Sequence, residues 1–445
     1  MTNDRRPPFF DRTDWLSFWA ASGTTLAVYL FTLTPDISLE SEGAFSTASF
    51  YGGIGPPPGY PLWALYSWLF TEMLSWSNVA WRVAVSSAVA GAGVCGLIAL
   101  MVSRGGAGTD AGGNDFYRKP LRLVCGWVVA TGFGFSLFWS EAVVADENTF
   151  SALLFTLTLC VLLRWMAQPA RRRYFYPACF LYGMCLTQSQ ILFSASPGLV
   201  LLVLFGDKKL GRDLLWVCSF IFFTGLLLKW ARVWNRLDNE PGWPNALLWI
   251  YLFVGGVLVS AAVVITVIAR RFFTEWRAVI GCVLFFLLGL SPYLLLPIVS
   301  MTNPPVNWSY ARTVEGFFHL VERGQYERLN PAADWPRIGG ILKLYFQKTF
   351  GEFGVFYSMP VLWSFFFFFR SAARRWLWGL MPVFLSLTML IAIVLNESPD
   401  RQTTALSSPY YIYSYIVLMI WAGQGLMVLG RWLAKPESGA EKNPA

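Results

Sequence analysis

Residues 139–173 read WSEAVVADENTFSALLFTLTLCVLLRWMAQPARRR. The stretch has three parts. Residues 139–147 carry Glu141, Asp146 and Glu147 and no Lys or Arg. Residues 148–168 are predominantly apolar, and about 20 such residues cross the hydrocarbon core of a bilayer. Arg171–Arg173 then close the segment. Basic residues on one flank only are the signature of a span oriented by the positive-inside rule. The pattern predicts a transmembrane helix with acids at one membrane face and arginines at the other. Asp146 and Glu147 precede the first turn, where the helix dipole favours an anion. Capping is one reading of these acids. The other is that Asp146 faces the carboxylates of the first loop, 35–78, and completes an acidic cleft.

The rest of the chain repeats this grammar. Of 445 residues, 56% are hydrophobic and 13% charged, with 37 Phe and 22 Trp. Soluble domains carry roughly 25% charged residues, so the composition excludes a soluble enzyme, a disordered chain and a disulfide-stapled secreted domain. About twelve spans are expected on length and apolarity, near 15–34, 79–102, 123–138, 148–168, 174–190, 191–206, 214–232, 245–268, 278–299, 354–370, 376–395 and 409–430. The expected fold is an all-α polytopic membrane protein. A short N-terminus (1–14) and tail (431–445) flank one membrane domain (15–430).

Basic clusters fall in alternate loops: Arg5, Arg6 and Arg12; Arg104, Arg118, Lys119 and Arg122; Arg171–Arg173; Lys208, Lys209 and Arg212; Arg270 and Arg271; Arg370, Arg374 and Arg375. Placing them all in the cytoplasm puts both termini there. The net charge of +8 therefore reflects membrane topology and implies no nucleic-acid partner. The first span reads as an uncleaved signal anchor, because it runs into Pro35-Asp36 without a small-x-small site. The seven cysteines lie in apolar stretches with no CxxC pair and read as small buried hydrophobes. The sole histidine, His319, argues against His-built metal sites and Ser-His-Asp triads.

Two loops opposite the basic clusters are too long to be simple connections. Loop 35–78 predicts a helix near 40–50, a Gly/Pro turn at 52–59, and an apolar helix near 61–75. Its charges are Asp36, Glu40, Glu42 and Glu72. Asp36 and Glu40 share a face if helical. They are either a solvated translocated loop or a source of a general base for an acceptor hydroxyl. Loop 300–353 predicts two amphipathic helices, the first with Val314, Phe317, Phe318 and Val321 on one face, the second with Ile338, Ile341, Leu342 and Tyr345 on one face. They lie either on the membrane surface or against the bundle. Basic residues on this side include Arg82, Arg312, Arg323, Arg328, Arg337, Lys343, Lys348 and Arg401. Each is either a surface or snorkelling cation or a partner for a lipid phosphate.

Ordered blocks then carry a resemblance. They are Pro35-Asp36-Ile37-Ser38-Leu39-Glu40, Pro57-Pro58-Gly59-Tyr60-Pro61-Leu62-Trp63, Asn78-Val79-Ala80-Trp81-Arg82-Val83, Phe138-Trp139-Ser140-Glu141-Ala142-Val143-Val144-Ala145-Asp146, Leu186-Thr187-Gln188-Ser189-Gln190, Gly289-Leu290-Ser291-Pro292-Tyr293-Leu294, Asn303-Pro304-Pro305-Val306-Asn307-Trp308, Thr313-Val314-Glu315-Gly316-Phe317 and Arg323-Gly324-Gln325-Tyr326. Together they resemble the protein O-mannosyltransferase-like family carried as DUF2723.

The resemblance implies a GT-C-like bundle and a glycosyltransferase of the bacterial inner membrane. It would move a sugar from a polyprenyl-phosphate donor to a hydroxyl of a protein, lipid or glycan at the outer face, with no cofactor. Glu40, Glu42 and Asp146 are the implied catalytic acids. Arg82, Arg323, Gln325, Arg401 and Tyr60 are the implied substrate and phosphate partners. The chain departs from the family at Ser41-Glu42-Gly43-Ala44-Phe45, where the pattern is Asp-x-Gly-Glu-Phe. Pro56 and Ser189 stand where histidines are usual. Either Glu40 or Glu42 substitutes for the missing acid, or the chain is a non-catalytic lipid-binding or scaffold subunit of envelope glycan assembly. A transporter would want charges at mid-span, and here they gather at span ends.

Overall fold

The computed structural model describes residues 8–38, 42–107, 115–231, 246–326, 332, 335–367, 374–396 and 407–433. The helices are α1 (Arg12–Phe31), α2 (Glu42–Phe50), α3 (Pro61–Met73), α4 (Val79–Ala107), α5 (Asp115–Gly134), α6 (Phe138–Ala142), α7 (Asn148–Met166), α8 (Tyr176–Gln188) and α9 (Ser196–Gly206). They continue with α10 (Lys208–Trp230), α11 (Ala246–Ala269), α12 (Trp276–Leu290), α13 (Leu295–Met301), α14 (Val314–Val321), α15 (Trp335–Phe367), α16 (Arg374–Leu385), α17 (Ile391–Leu395) and α18 (Ile412–Leu433). The chain is an all-α polytopic protein, as the apolar runs imply.

Helix α4 is the axis. Its 29 residues span about 43 Å at 1.5 Å per residue, enough to cross a bilayer. Helices α1, α3, α5, α7 and α18 pack around it. Of its apolar window, 89% is buried, against 11% for α11 at the periphery. The close packing follows from small residues. A Cβ on Gly96 would lie 2.1 Å from Ser22 Oγ and 2.7 Å from the Phe18 ring, so α1 and α4 touch nearly backbone to backbone. Ser22 Oγ also donates to the Ala92 carbonyl at 2.9 Å. Small residues and interhelical hydroxyl bonds drive such association where lipid removes the usual hydrophobic gain. All seven cysteines are free, and five of them are buried.

Seven helices among the described residues are long and apolar enough to cross a membrane. They match the expectations near 79–102, 148–168, 214–232, 245–268, 278–299, 376–395 and 409–430. The remaining five segments differ for local reasons. The chain breaks at Ser189, leaving α8 with 13 residues, a 3-10 segment Gln190–Ala195, and α9 with 11 residues. Helix α1 and helix α5, which contains Pro120, pack on α4 but hold too many polar residues to meet the same criterion. Helix α15 joins the second amphipathic segment to the expected span at 354–370, with a left-handed break at Gly354.

The two long loops form the expected helices α2, α3 and α14. In α14 the buried face is Leu320 with Phe317 and Val321, while Val314 and Phe318 are exposed. The face is rotated from the one the spacing suggested, because Leu320 fills the space beside Ile54, Leu296 and Ala311. In α15, Ile338 and Ile341 pack on Ala392, so this segment docks on the bundle.

At one end of the bundle the arginines are tied to acids. Arg122 is 2.6 Å from Asp14 and 2.9 Å from Asp11, whose side chains form the capping box of α1. Arg212 pairs with Asp213 at 2.6 Å and donates to the Arg271 carbonyl. Arg172 bridges Asp207 and Glu275. Arg104 and Arg164, at the ends of α4 and α7, both stack on Phe9.

Candidate active site

The opposite end is built differently. The segment from Gly52 to Tyr60 is pinned to the loop after α13. Ile54 N–H donates to the Val306 carbonyl at 2.9 Å, Trp308 N–H donates to the Ile54 carbonyl at 3.3 Å, and Ile54 is buried. Gly59 then takes φ +95°, which favours glycine. A Cβ there would also meet Leu296 and Leu320 at 3.0 and 3.1 Å. Tyr60 follows with φ +42°, a left-handed residue leading into Pro61 at the start of α3. Proline suits that first helical position because its missing N–H would be unpaired anyway. The turn delivers Tyr60 into the interior, edge-on to Phe45 at 5.6 Å.

Tyr60 enters a cavity of about 270 Å³. The α6–α7 corner supplies Glu141, Asp146, Glu147 and Asn148. The end of α8 and the following 3-10 segment supply Gln188, Ser189, Gln190 and Ile191. Arg323 comes from beyond α14, and Pro409 and Tyr410 from the start of α18. The wall is almost entirely polar, with several carboxyls and a guanidinium.

The acids are held by short-range bonds. Asp146 Oδ1 accepts the Glu147 N–H at 2.5 Å and the Asn148 N–H at 3.3 Å. Two N–H groups at the start of α7 are thereby satisfied. Asn148 Nδ2 donates to Glu141 at 2.8 Å and to Asp146 Oδ2 at 3.3 Å. The Asp146 carbonyl accepts from Ser87 Oγ of α4 at 3.0 Å, fixing the corner to the central helix. Burial, and then the charge of Asp146, push the Glu147 carboxyl well above the ordinary glutamate range. Burial, and then the nearby Glu147, likewise raise the Tyr60 phenol.

Arg323 is placed with equal care. Its backbone is left-handed, with φ +56°, and its N–H bonds the Leu320 carbonyl at 3.2 Å. Gln190 Nε2 donates to the Val321 carbonyl at 2.6 Å, tying the 3-10 segment to the end of α14. The guanidinium stacks 4.9 Å from the Tyr326 ring centroid and shares the cavity wall with Tyr410. Gln188 Oε1 accepts the Trp63 N–H at 3.0 Å, an otherwise unpaired donor in the first turn of α3.

Of the expected site residues, Tyr60, Asp146 and Arg323 converge on the cavity. Glu40 and Arg401 lie outside the described residues. Glu42 does not line the cavity. It is buried in the first turn of α2, where its carboxylate accepts the Ser38 N–H at 2.8 Å and the Ser38 hydroxyl. Arg82 is spent on backbone, donating to the carbonyls of Thr71, Ser75, Trp76 and Ser77. Gln325 accepts from the Trp308 indole and is not in the cavity wall. The structure adds Glu141, Glu147 and Tyr410. The first two stand in the Lys- and Arg-free segment 139–147, and that shortage of countercharge was their signal. Tyr410 had none, since it is one of 18 tyrosines at an ordinary span start.

Residues 42–211 match the family described as the protein O-mannosyl-transferase TMEM260 N-terminal domain. The chain is also 30% identical over 146 residues to the protein O-mannosyl-transferase TMEM260 of Mus musculus, a match covering 32% of this chain and 19% of the mouse protein. The similarity is thus to an O-mannosyltransferase family, through its TMEM260 branch rather than DUF2723 by name. The matched region holds Tyr60 and the α6–α7 corner. Arg323 and Tyr410 lie beyond it.

Proposed function

We propose that this chain is a membrane glycosyltransferase that moves a sugar from a polyprenyl-phosphate donor to an acceptor hydroxyl in the acidic cavity, at the outer face of a bacterial inner membrane with both termini cytoplasmic. The observation that carries the proposal is the joining of Asp146, Glu147 and Arg323 in one polar cavity of about 270 Å³. The mouse relative's name supports mannose as the sugar and a protein as the acceptor.

In this reading Asp146 is the general base. The acceptor O–H bond breaks and its proton passes to the Asp146 carboxylate. The acceptor oxygen bonds the anomeric carbon, and the bond from that carbon to the phosphate oxygen breaks with its electron pair leaving on the phosphate. Arg323 neutralises the charge that develops there, where a fixed guanidinium outperforms mobile water.

The test is transfer by the purified protein in nanodiscs, using polyprenyl-phosphate mannose and a hydroxyl-bearing peptide. Arg323→Ala is expected to lower transfer about 100-fold to 1,000-fold, the scale of losing one transition-state donor. Arg323→Lys should recover part of it, since charge is kept and the bidentate fork is lost. One observation favours a second reading, a non-catalytic lipid-binding or scaffold subunit: Glu42 and Arg82 are both committed to local backbone. Binding of polyprenyl phosphate without turnover by the wild-type protein would establish that reading instead.

A further inference from the structure

The end of the bundle that holds the acid–arginine pairs also holds three arginines gathered on aromatic rings instead. Arg104 lies in the last turn of α4 and Arg164 in the last turn of α7. Both guanidiniums stack on Phe9, with Cζ 4.4 and 4.6 Å from the ring centroid. Arg164 also sits over Tyr174 at 4.2 Å, and Arg173 lies over the same ring at 4.9 Å. The Tyr174 hydroxyl accepts from Arg164 Nη2 at 3.1 Å and from Arg173 Nη2 at 3.0 Å. Arg164 is therefore the centre of the group, shared between two rings.

Ring faces and a phenol oxygen hold these cations without supplying a formal negative charge. Among the described residues none of the three forms an ion pair, unlike Arg122, Arg172 and Arg212. Asp11 and Asp14 attract Arg104, but their close contacts are with Arg122, Ser103 and each other's backbone. The Arg164 fork is half used. Nη2 has the phenol, while Nη1 is buried with no hydrogen-bond partner. A buried donor of this kind calls for an acceptor.

Position narrows what that acceptor is. Helices α4 and α7 are both long and apolar enough to cross a membrane. The last turn of such a helix lies at the level of the lipid headgroups, where long basic side chains meet phosphate. We propose that Arg104, Arg164 and Arg173 form a binding site for the phosphate group of an anionic lipid, with Phe9 and Tyr174 holding the guanidiniums around it. The planar fork of arginine matches two phosphate oxygens. The site lies at the opposite end of α7 from the acidic cavity and does not depend on the glycosyltransferase reading.

Native mass spectrometry of the purified full chain, titrated with phosphatidylglycerol or phosphatidylcholine, tests the site. Wild type should bind one phosphatidylglycerol about 10-fold or more tightly than phosphatidylcholine, the scale of added charge-assisted hydrogen bonds. Arg164→Gln should remove that preference. Arg164→Lys should keep part of it, since charge is retained and the fork is lost. Arg173→Gln changes an exposed residue and should weaken the preference, so the site is tested even if Arg164→Gln does not fold. Lys209→Gln removes an exposed cation in the first turn of α10, outside the ring cluster, and should leave the preference unchanged. Equal loss in Lys209→Gln would mean general surface attraction and would overturn the proposal. Absence of any preference in wild type would also overturn it, as would displacement of the lipid by inorganic phosphate at equal concentration.

Discussion

The two ends of the helix bundle treat their carboxylates in opposite ways. At one end the acids meet arginines: buried Asp14 with Arg122, buried Asp213 with Arg212, and half-buried Asp207 with Arg172. At the other, Asp146 is held by backbone N–H groups and a side-chain amide, and it lines one cavity with Glu147 and Arg323. The same helices run through both environments, since α7 starts at the acidic cavity and ends at Arg164. Paired acids have their charge spent on holding helices together. Acids left to neutral donors keep capacity for a proton or a ligand, which is where functional chemistry is expected. The contrast separates structure from activity better than residue type does.

Breaking the cavity should have the largest effect on turnover. Asp146→Asn is expected to cost about 100-fold to 10,000-fold in transfer, as for a lost general base, with the detergent-extracted protein unchanged in size-exclusion behaviour. Breaking the paired end should do the reverse. Arg122→Ala leaves buried Asp14 without its hydrogen-bonded ion-pair partner, and such losses cost about 3–5 kcal/mol. The expected outcome is a steep fall in the fraction surviving heat in detergent. The double change Asp14→Leu/Arg122→Met should recover much of that, because apolar isosteres relieve the stranded charge.

Smaller effects sharpen the contrast. Arg82→Lys loses most of the bonds that gather the carbonyls at the end of α3. It should lower thermal survival modestly and leave the transfer rate of the folded fraction near wild type. Glu147 also links pH to stability. Its folded-state affinity for a proton is raised above the ordinary value of 4.5, so the folded protein binds more protons than the unfolded one above that pH. Stability from this group therefore falls as pH rises from there toward the folded-state value. Glu147→Gln should remove that decline, read as a flatter profile of thermal survival against pH.

Much of this fold is legible in residue order. The run from Trp139 to Arg173 carries a span and the acids that line the cavity. The Gly/Pro turn before Tyr60 is legible as a turn, since Gly59 and Pro61 have few other uses. The number of spans is less so. Apolarity alone does not show that the run from 174 to 206 breaks at Ser189 into two short helices, because that break is fixed by bonds such as Gln190 to Val321. Glu42 and Arg82, expected at the site, lie off the cavity for a related reason. A carboxylate or guanidinium can be consumed by nearby backbone, and that is visible only once the turn after α3 and the Ser38 segment are folded. The placing of the Tyr60 turn beside the loop that leads to Arg323 involves Ile54 meeting Val306, a contact across some 250 positions of sequence that no local pattern encodes.

The most direct test compares the two candidate sources of the base in one assay. Transfer from polyprenyl-phosphate mannose is measured for Asp146→Asn and for Glu42→Gln, each purified and matched for folded protein. The account predicts that Asp146→Asn loses at least about 100-fold while Glu42→Gln stays within about 10-fold of wild type. Retained transfer in Asp146→Asn with loss in Glu42→Gln would contradict it and return the chemistry to the first long loop.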